Sequence, residues 1–271
     1  MRPVLAFAAG QAEAQSIGGA VTGFFGSGTV GASLGRDNDN DESFSTTGIY
    51  GVLGGRLANG LGFQIDLGQE SGDYPNDPFF KQSGGALHLN YALGQTIVGL
   101  VAGSGSADGV YDSDYADVTW YGLEAARGFG DLHVAGMIGQ TSSTNSHGPL
   151  DYDNYGMFAV EGRYFVNDDL MIRGSYENAT ARIHSDDLTT QKLSLDATVG
   201  LGNPLVYAFG GVTYMDLEAG GEGSSDELVA MLGLTIRFGG GGTLRDTFTR
   251  DVPMISRMNA LDNGVRSSTM D

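Results

Sequence analysis

Cysteine is absent from the chain, which excludes disulfides and thiolate metal sites. Lysine is nearly absent too, with Lys81 and Lys192 the two present. Lys+Arg 14 against Asp+Glu 33 gives a formal net charge of −19. A chain so acidic has no basic face for phosphate, so nucleic acid is excluded as a partner. No apolar run approaches the ~20 residues that a spanning helix needs. Proline is scarce at 6 residues and the glycines follow no three-residue period, which argues against collagen and simple disorder. What is plentiful is glycine, 45 in 271 residues, together with 12 Tyr and 13 Phe.

The first residues carry an address. In "MRPVLAFAAGQAEAQS", Arg2 precedes a short apolar run, Val4 to Ala9, and the small-residue pattern Ala12-Glu13-Ala14. That is the composition of a secretory leader covering 1–14 and cut before Gln15. The apolar run is at or below the usual minimum, which fits a leader whose true start lies upstream.

After the leader, hydrophobicity alternates with period two. "LGFQIDLGQ" sets Leu61, Phe63, Ile65 and Leu67 against Gly62, Gln64, Asp66 and Gly68. "VAMLGLTIRFGGGG" sets Leu232, Leu234, Ile236 and Phe238 against Met231, Gly233, Thr235 and Arg237. Period two is the signature of a strand with two unlike faces. The pattern predicts twelve strands, near 19–34, 44–57, 61–70, 83–93, 95–104, 117–127, 131–141, 154–166, 169–179, 190–201, 205–216 and 227–238. Every second connection is a tight turn, around "ANG", "LGQ", "GFGD", "NDD" and "GNP". The others read as long acidic loops: "RDNDNDES", "SGDYPNDPFFKQ", "SADGVYDSDYAD", "SSTNSHGPLDYD", "ATARIHSDDLTT" and "LEAGGEGSSDE".

Alternation alone does not say which face is inside. Three features favour apolar side chains outside. The opposite face carries charge in mid-strand, at Asp66, Glu124, Glu161, Arg163, Arg173, Glu177, Lys192 and Asp196, and such an interior needs water or paired charges. Phe129, Tyr164, Tyr176, Tyr207 and Tyr214 flank the strands where an interfacial girdle would sit. Finally, an exported chain exposing twelve apolar faces would aggregate in water. The reading is all-β: a closed antiparallel up-and-down transmembrane β-barrel over 15–238.

With strands that alternate long and short connections and end on an aromatic, the chain resembles the Gram-negative outer-membrane β-barrel superfamily and is porin-like. In that superfamily the last strand ends on an aromatic preceded by alternate apolar residues, and the barrel-assembly machinery reads this signal. Phe238, Ile236 and Leu234 match it here. The departure is that a Gly-rich linker and a tail, 239–271, follow Phe238. Within that tail, Asp251, Pro253 and Gly264 bracket a short helix near 253–262, with Met254, Met258 and Leu261 on one stripe. An even strand count puts this tail in the periplasm, where it enters the lumen, binds a partner or hangs free.

The resemblance implies a cell-outer-membrane location and contact with outer-membrane lipid and lipopolysaccharide. It also implies passive diffusion of small hydrophilic solutes, without cofactor. Acidic loops on the outer rim would favour cations. The lumen and constriction candidates are Glu124, Glu161, Arg163, Arg173, Glu177, Lys192 and Asp196. Within the hairpin that carries Glu161, Arg163, Arg173 and Glu177, opposite charges are expected to face each other across the strands. Twelve strands fall between barrels that side chains fill and barrels that stay open. The alternative is therefore a structural or adhesive barrel with a blocked lumen, whose acidic loops bind divalent ions, lipopolysaccharide or a surface ligand. Oligomeric state is not legible.

A dedicated metal site is not expected. "DNDNDE" places Glu42 and Gly48 where an EF-hand loop starting at Asp37 requires glycine and glutamate. Catalysis is not expected either. The barrel phospholipases place serine two residues from histidine, but Asn90, Ala135, Pro149 and Asp186 hold that position after His88, His133, His147 and His184. The acid pairs of the barrel proteases occur as Asp37/Asp39, Asp112/Asp114 and Asp151/Asp153, which acidic loops produce by composition.

Overall fold

The computed structural model describes residues 21–38, 42–74, 77–110, 114–145, 152–183, 186–219, 223–239 and 242–246. The leader over 1–14 and the helix near 253–262 lie outside these residues. Twelve strands follow in order: β1 (Val21–Asp37), β2 (Glu42–Leu57), β3 (Leu61–Tyr74), β4 (Asp77–Leu93), β5 (Thr96–Val110), β6 (Asp114–Phe129), β7 (Leu132–Asn145), β8 (Tyr152–Asn167), β9 (Leu170–Ile183), β10 (Asp186–Gly200), β11 (Val206–Ala219) and β12 (Gly223–Phe238). Each pairs antiparallel with its sequence neighbours, and β12 pairs with β1 to close the barrel. Closure leaves no strand edge exposed, the condition for a sheet to sit in lipid.

The side chains sort as the alternation requires. Leu34, Ile138 and Leu232 project outward at 69%, 61% and 68% exposure, whereas inward-facing Gln64, Asp66 and His88 stand at 1%, 1% and 0%. The apolar belt is on the outside. Tyr164 and Tyr214 share this outer face, but Tyr207 does not. It points inward and is buried, against the girdle position expected of it, and its hydroxyl donates to the Pro204 carbonyl at 2.8 Å. The reason is parity: Tyr207 alternates with outward Val212 and Tyr214 and falls on the odd, inner set.

The strands are longer than the alternation suggested, 14 to 17 residues each. They run deep into the stretches read as long acidic loops, so that Asp37, Asp114, Glu218 and Asp226 are ladder residues. At ~3.3 Å per residue and a tilt near 40°, such strands rise roughly 35–43 Å, against an apolar band of about 25 Å. The upper ladder therefore extends beyond such a band. Its outward residues are polar there: Ser45, Thr47, Gln69, Ser71, Thr119 and Thr180.

Glycine and aromatic abundance share one cause. Across the ladder Phe44 opposes Gly35, Phe25 opposes Gly54, Trp120 opposes Gly103, Phe209 opposes Gly233 and Phe238 opposes Gly26. At each pair the ring lies over the glycine, in space that a Cβ would fill. The glycine seats the ring flat on the sheet, and the ring shields the glycine backbone. Phe238 does this on the outer face of the closing seam, which explains why β12 ends on an aromatic.

At the other end, three tight turns use one device. Asn59, Asn167 and Asn203 each accept, through Oδ1, the backbone N–H two residues on, from Leu61, Asp169 and Leu205. Gly60 completes the first of these turns at φ 90, a conformation that side-chain-bearing residues avoid.

Candidate functional site: the barrel interior

The interior has two unlike walls. From β3 to β10 it is packed with polar and charged side chains interleaved with buried apolar ones such as Ile97, Val101, Trp120, Met137 and Met157. Every candidate named from the sequence points inward on this wall: Glu124, Glu161, Arg163, Glu177, Lys192 and Asp196 are buried, and Arg173 is half-buried.

The first cluster joins three strands. Gln64 Nε2 donates to Asp66 Oδ1 at 2.8 Å, and Asp66 Oδ2 lies 3.1 Å from His88 Nε2. The other ring nitrogen, Nδ1, lies 2.8 Å from Glu124 Oε2. Both contacts are satisfied at once when the ring carries a proton on each nitrogen. Glu124 is on β6 and His88 on β4, so the carboxylate must cross β5. It crosses over Gly99, where a Cβ would sit 3.0 Å from Glu124 Oε1. His88 escaped the sequence reading as a member of the charged set. Its signal was its inner parity, facing Gln64 across the β3–β4 ladder.

The second cluster corrects an expectation. Opposite charges were expected to face each other on the β8–β9 hairpin, yet in register Arg163 faces Arg173, Glu161 faces Ser175 and Glu177 faces Ala159. Charge is balanced along diagonals and from the next strand. Glu161 pairs with Arg163 Nε on its own strand and lies 3.6 Å from Arg173 Nη1. Asp196 on β10 faces Arg173 directly and accepts from its Nε at 2.7 Å. Lys192 and Glu177 are direct cross-strand neighbours two inward pairs higher, beyond Ser194 and Ser175. A third cluster lies nearer the loop rim. Glu70 accepts from Thr46, from Tyr50 at 3.0 Å and from Gln82 at 2.8 Å.

The second wall, from β12 through β1, carries Ser27, Thr29, Gly31, Ser33, Gly233 and Thr235 together with Val229, Met231 and Arg237, and the Phe209 ring lies over Gly31 and Gly233. These face inward and are half-buried, in contrast to the sealed wall opposite. Thr29 and Thr235 share a hydrogen bond of 2.9 Å across the closing seam, and Ser33 contacts Thr46 at 2.7 Å. Among the paired charges Arg173 alone faces this space appreciably. Its side chain is 38% exposed, against 4% for Glu161 and Asp196 and 6% for Arg163.

At the turn-side mouth the chain returns on itself. Residues 244–246 form a helical turn, and Leu244 is fully buried against Phe165, Met171 and Tyr207. Sequence reasoning left the tail's position open and had no signal for Leu244, a lone apolar residue after glycines. A furrow of about 880 Å³ also exists, but on the outer, lipid-facing surface between Leu100, Leu123, Ile138 and Phe158. Among the described residues no cluster of His, Asp and Glu has the arrangement to hold a metal ion.

No family model and no curated protein matches the chain. Solved structures do. It is similar to the CymD monoaromatic hydrocarbon channel, at 12% identity and a TM-score of 0.50, over 80% of this chain and 89% of that one. It also aligns with an anion-selective porin from Comamonas acidovorans (11% identity, TM-score 0.45, 80% of this chain and 99% of that one) and with the beta domain of the Bordetella autotransporter BrkA (13%, 0.47, 80% and 100%). At 12% identity the first of these likenesses speaks for the fold, a closed antiparallel barrel.

Proposed function

We propose that this outer-membrane β-barrel is a passive channel for small hydrophilic solutes, with a narrow passage running off-axis along the inner faces of β12 and β1. The observation that carries the reading is the contrast between the walls. Ser27, Thr29, Ser33 and Thr235 are partly reached by water, while the charges on the far wall are buried and mutually paired. Hydroxyls exchange hydrogen bonds with a passing solute without holding it, as diffusion requires. The paired wall supplies rigidity, and Arg173 gives it one charge at the passage.

Because each buried carboxylate lies against Arg163, Arg173, Lys192 or His88, charge selection falls to the acidic rim. Asp117 and Glu218 are exposed there, and such a field favours cations within a Debye length of ~8 Å at physiological salt. The mechanism involves no catalysis and no cofactor. His88, fully buried with a carboxylate at each ring nitrogen, has no nitrogen left for a nucleophile. Lipid and lipopolysaccharide surround the belt, and the Leu234–Ile236–Phe238 strand end is the segment offered to the assembly machinery.

A blocked structural or adhesive barrel is the second reading, favoured by the complete burial of Trp120 inside β6. Currents across planar bilayers under a KCl gradient separate the two. The channel reading expects stepwise, cation-selective currents whose unit size falls when Thr29→Trp fills the hydroxyl wall. The outward control Ala32→Trp should leave that size unchanged. An unaltered step with Thr29→Trp removes the passage from this wall.

A further inference from the structure

We infer that residues 242–246 are a gate: a strap built into the chain that crosses the turn-side mouth of the barrel and closes the passage reversibly. The inference rests on the channel reading and concerns how often the passage is open, not how wide it is.

The crossing follows from where the chain leaves and where it lands. It leaves the wall at Phe238, the end of β12, between β11 and β1. It lands on the turns that join β6 to β7 and β8 to β9. In the ring of twelve strands the β8–β9 turn stands three to four strands from β12, and the Arg245 side chain reaches on to the β6–β7 turn, nearly opposite β12. Arg245 makes the landing: its backbone N–H donates to the Asp168 carbonyl at 3.0 Å, its Nε lies 3.1 Å from Asp168 Oδ1, and its Nη1 pairs with Asp131. The guanidinium also lies 6.0 Å over the Phe165 ring. A reciprocal cap fixes the helical turn, with Thr243 N–H donating to Asp246 Oδ2 at 3.1 Å and Asp246 N–H to Thr243 Oγ1 at 3.2 Å. That turn aims Leu244 up into the mouth, where Phe165, Met171 and Tyr207 bury it completely.

The same contacts make the closure reversible. Among the described residues of the strap one leucine, Leu244, is the apolar anchor. The ion pairs are on the surface, since the Asp131 and Asp168 side chains are 50% and 66% exposed, and exposed pairs hold weakly and are screened by salt. Gly239 at φ 78 and Gly242 at φ 118 give the strap glycine joints on its barrel side. Within the barrel, by contrast, every strand is held by two full ladders. Of the described elements, the strap can leave without unfolding any other.

The absence of native cysteine allows a test in the full chain. Asp168→Cys with Arg245→Cys places a thiol pair where the two backbones are already hydrogen-bonded. In planar bilayers the oxidised protein should stay shut, and adding reductant should open the same molecules. Leu244→Ser should raise the open-to-closed ratio about 5- to 30-fold while leaving the unit current step unchanged. High salt should raise the open fraction of the unmodified chain. Heat-shifted gel migration checks folding, and the redox contrast stands even where Leu244→Ser lowers the yield. Equal open fractions in the unmodified, Leu244→Ser, oxidised and reduced proteins overturn the gate and leave the channel reading standing. Silence in all of them, the reduced and Leu244→Ser proteins included, overturns the channel reading and the gate with it.

Discussion

Arg163 and Arg173 face each other directly across the β8–β9 ladder, cation against cation, and Glu161 contacts both. Like charges in register are destabilising on their own, so the site holds together through the anion that sits on the diagonal. Glu161→Gln keeps the shape and removes that anion. It should lower stability by about 3–5 kcal/mol, the cost of breaking a buried pair by deleting one partner. The midpoint of the heat-shifted gel transition reads this. Glu161→Gln combined with Arg163→Gln should recover part of the loss, and an unchanged midpoint for the single variant would refute the diagonal arrangement.

The His88 bridge makes a steric prediction at a residue with no side chain. Gly99 lets the Glu124 carboxylate pass over β5, and a Cβ there would meet Glu124 Oε1 and Asn90 Cβ at 3.0 Å and the Leu89 carbonyl at 2.8 Å. Gly99→Val should therefore displace Glu124 and destabilise about as much as His88→Gln. The two changes together should cost little more than either alone, because both break one bridge. Full additivity in a double-mutant cycle would place Gly99 outside the network.

Assembly should depend on the closing seam. Phe238→Ala uncovers Gly26 on the outer face and removes the aromatic end of β12. The fraction of newly made protein reaching the heat-modifiable form should drop, whereas Tyr164→Ala, outward near the turn end of β8, should change it little. Equal assembly of the two variants would detach the seam from the assembly signal.

How much of this was legible in the sequence depends on what each strand segment has on its two faces. Where one face meets lipid and the other the interior, as at Leu232, Leu234 and Ile236 against Gly233 and Thr235, alternation gave the strand, its span and its orientation. Beyond the apolar band both faces carry polar residues. There Ser43 outside is as polar as Thr46 inside, the period vanishes, and ladder was mistaken for loop at Glu42 and Ser43. Parity identified the inward charges but not their partners. Arg163 opposes Arg173 rather than an acid because register is set by the tight Asn167–Asp169 turn, which the sequence marks only as a turn. Tyr207 was misplaced because a tyrosine near a strand end fits either a girdle or a mouth. Leu244 carried no pattern at all, since its meaning depends on three residues from three different strands.

The account turns on water running along the inner face of β1 and lipid along its outer face. Single cysteines placed one at a time through Ser27–Leu34 in the membrane-inserted full chain, probed with a charged thiol reagent during current recording, test this directly. Reaction and a loss of current are expected at Ser27, Thr29 and Ser33, with no reaction at Gly28 and Val30, the outward positions below the polar Ser45–Thr47 level. Reaction at Gly28 or Val30, or at the odd positions without any effect on current, would contradict it.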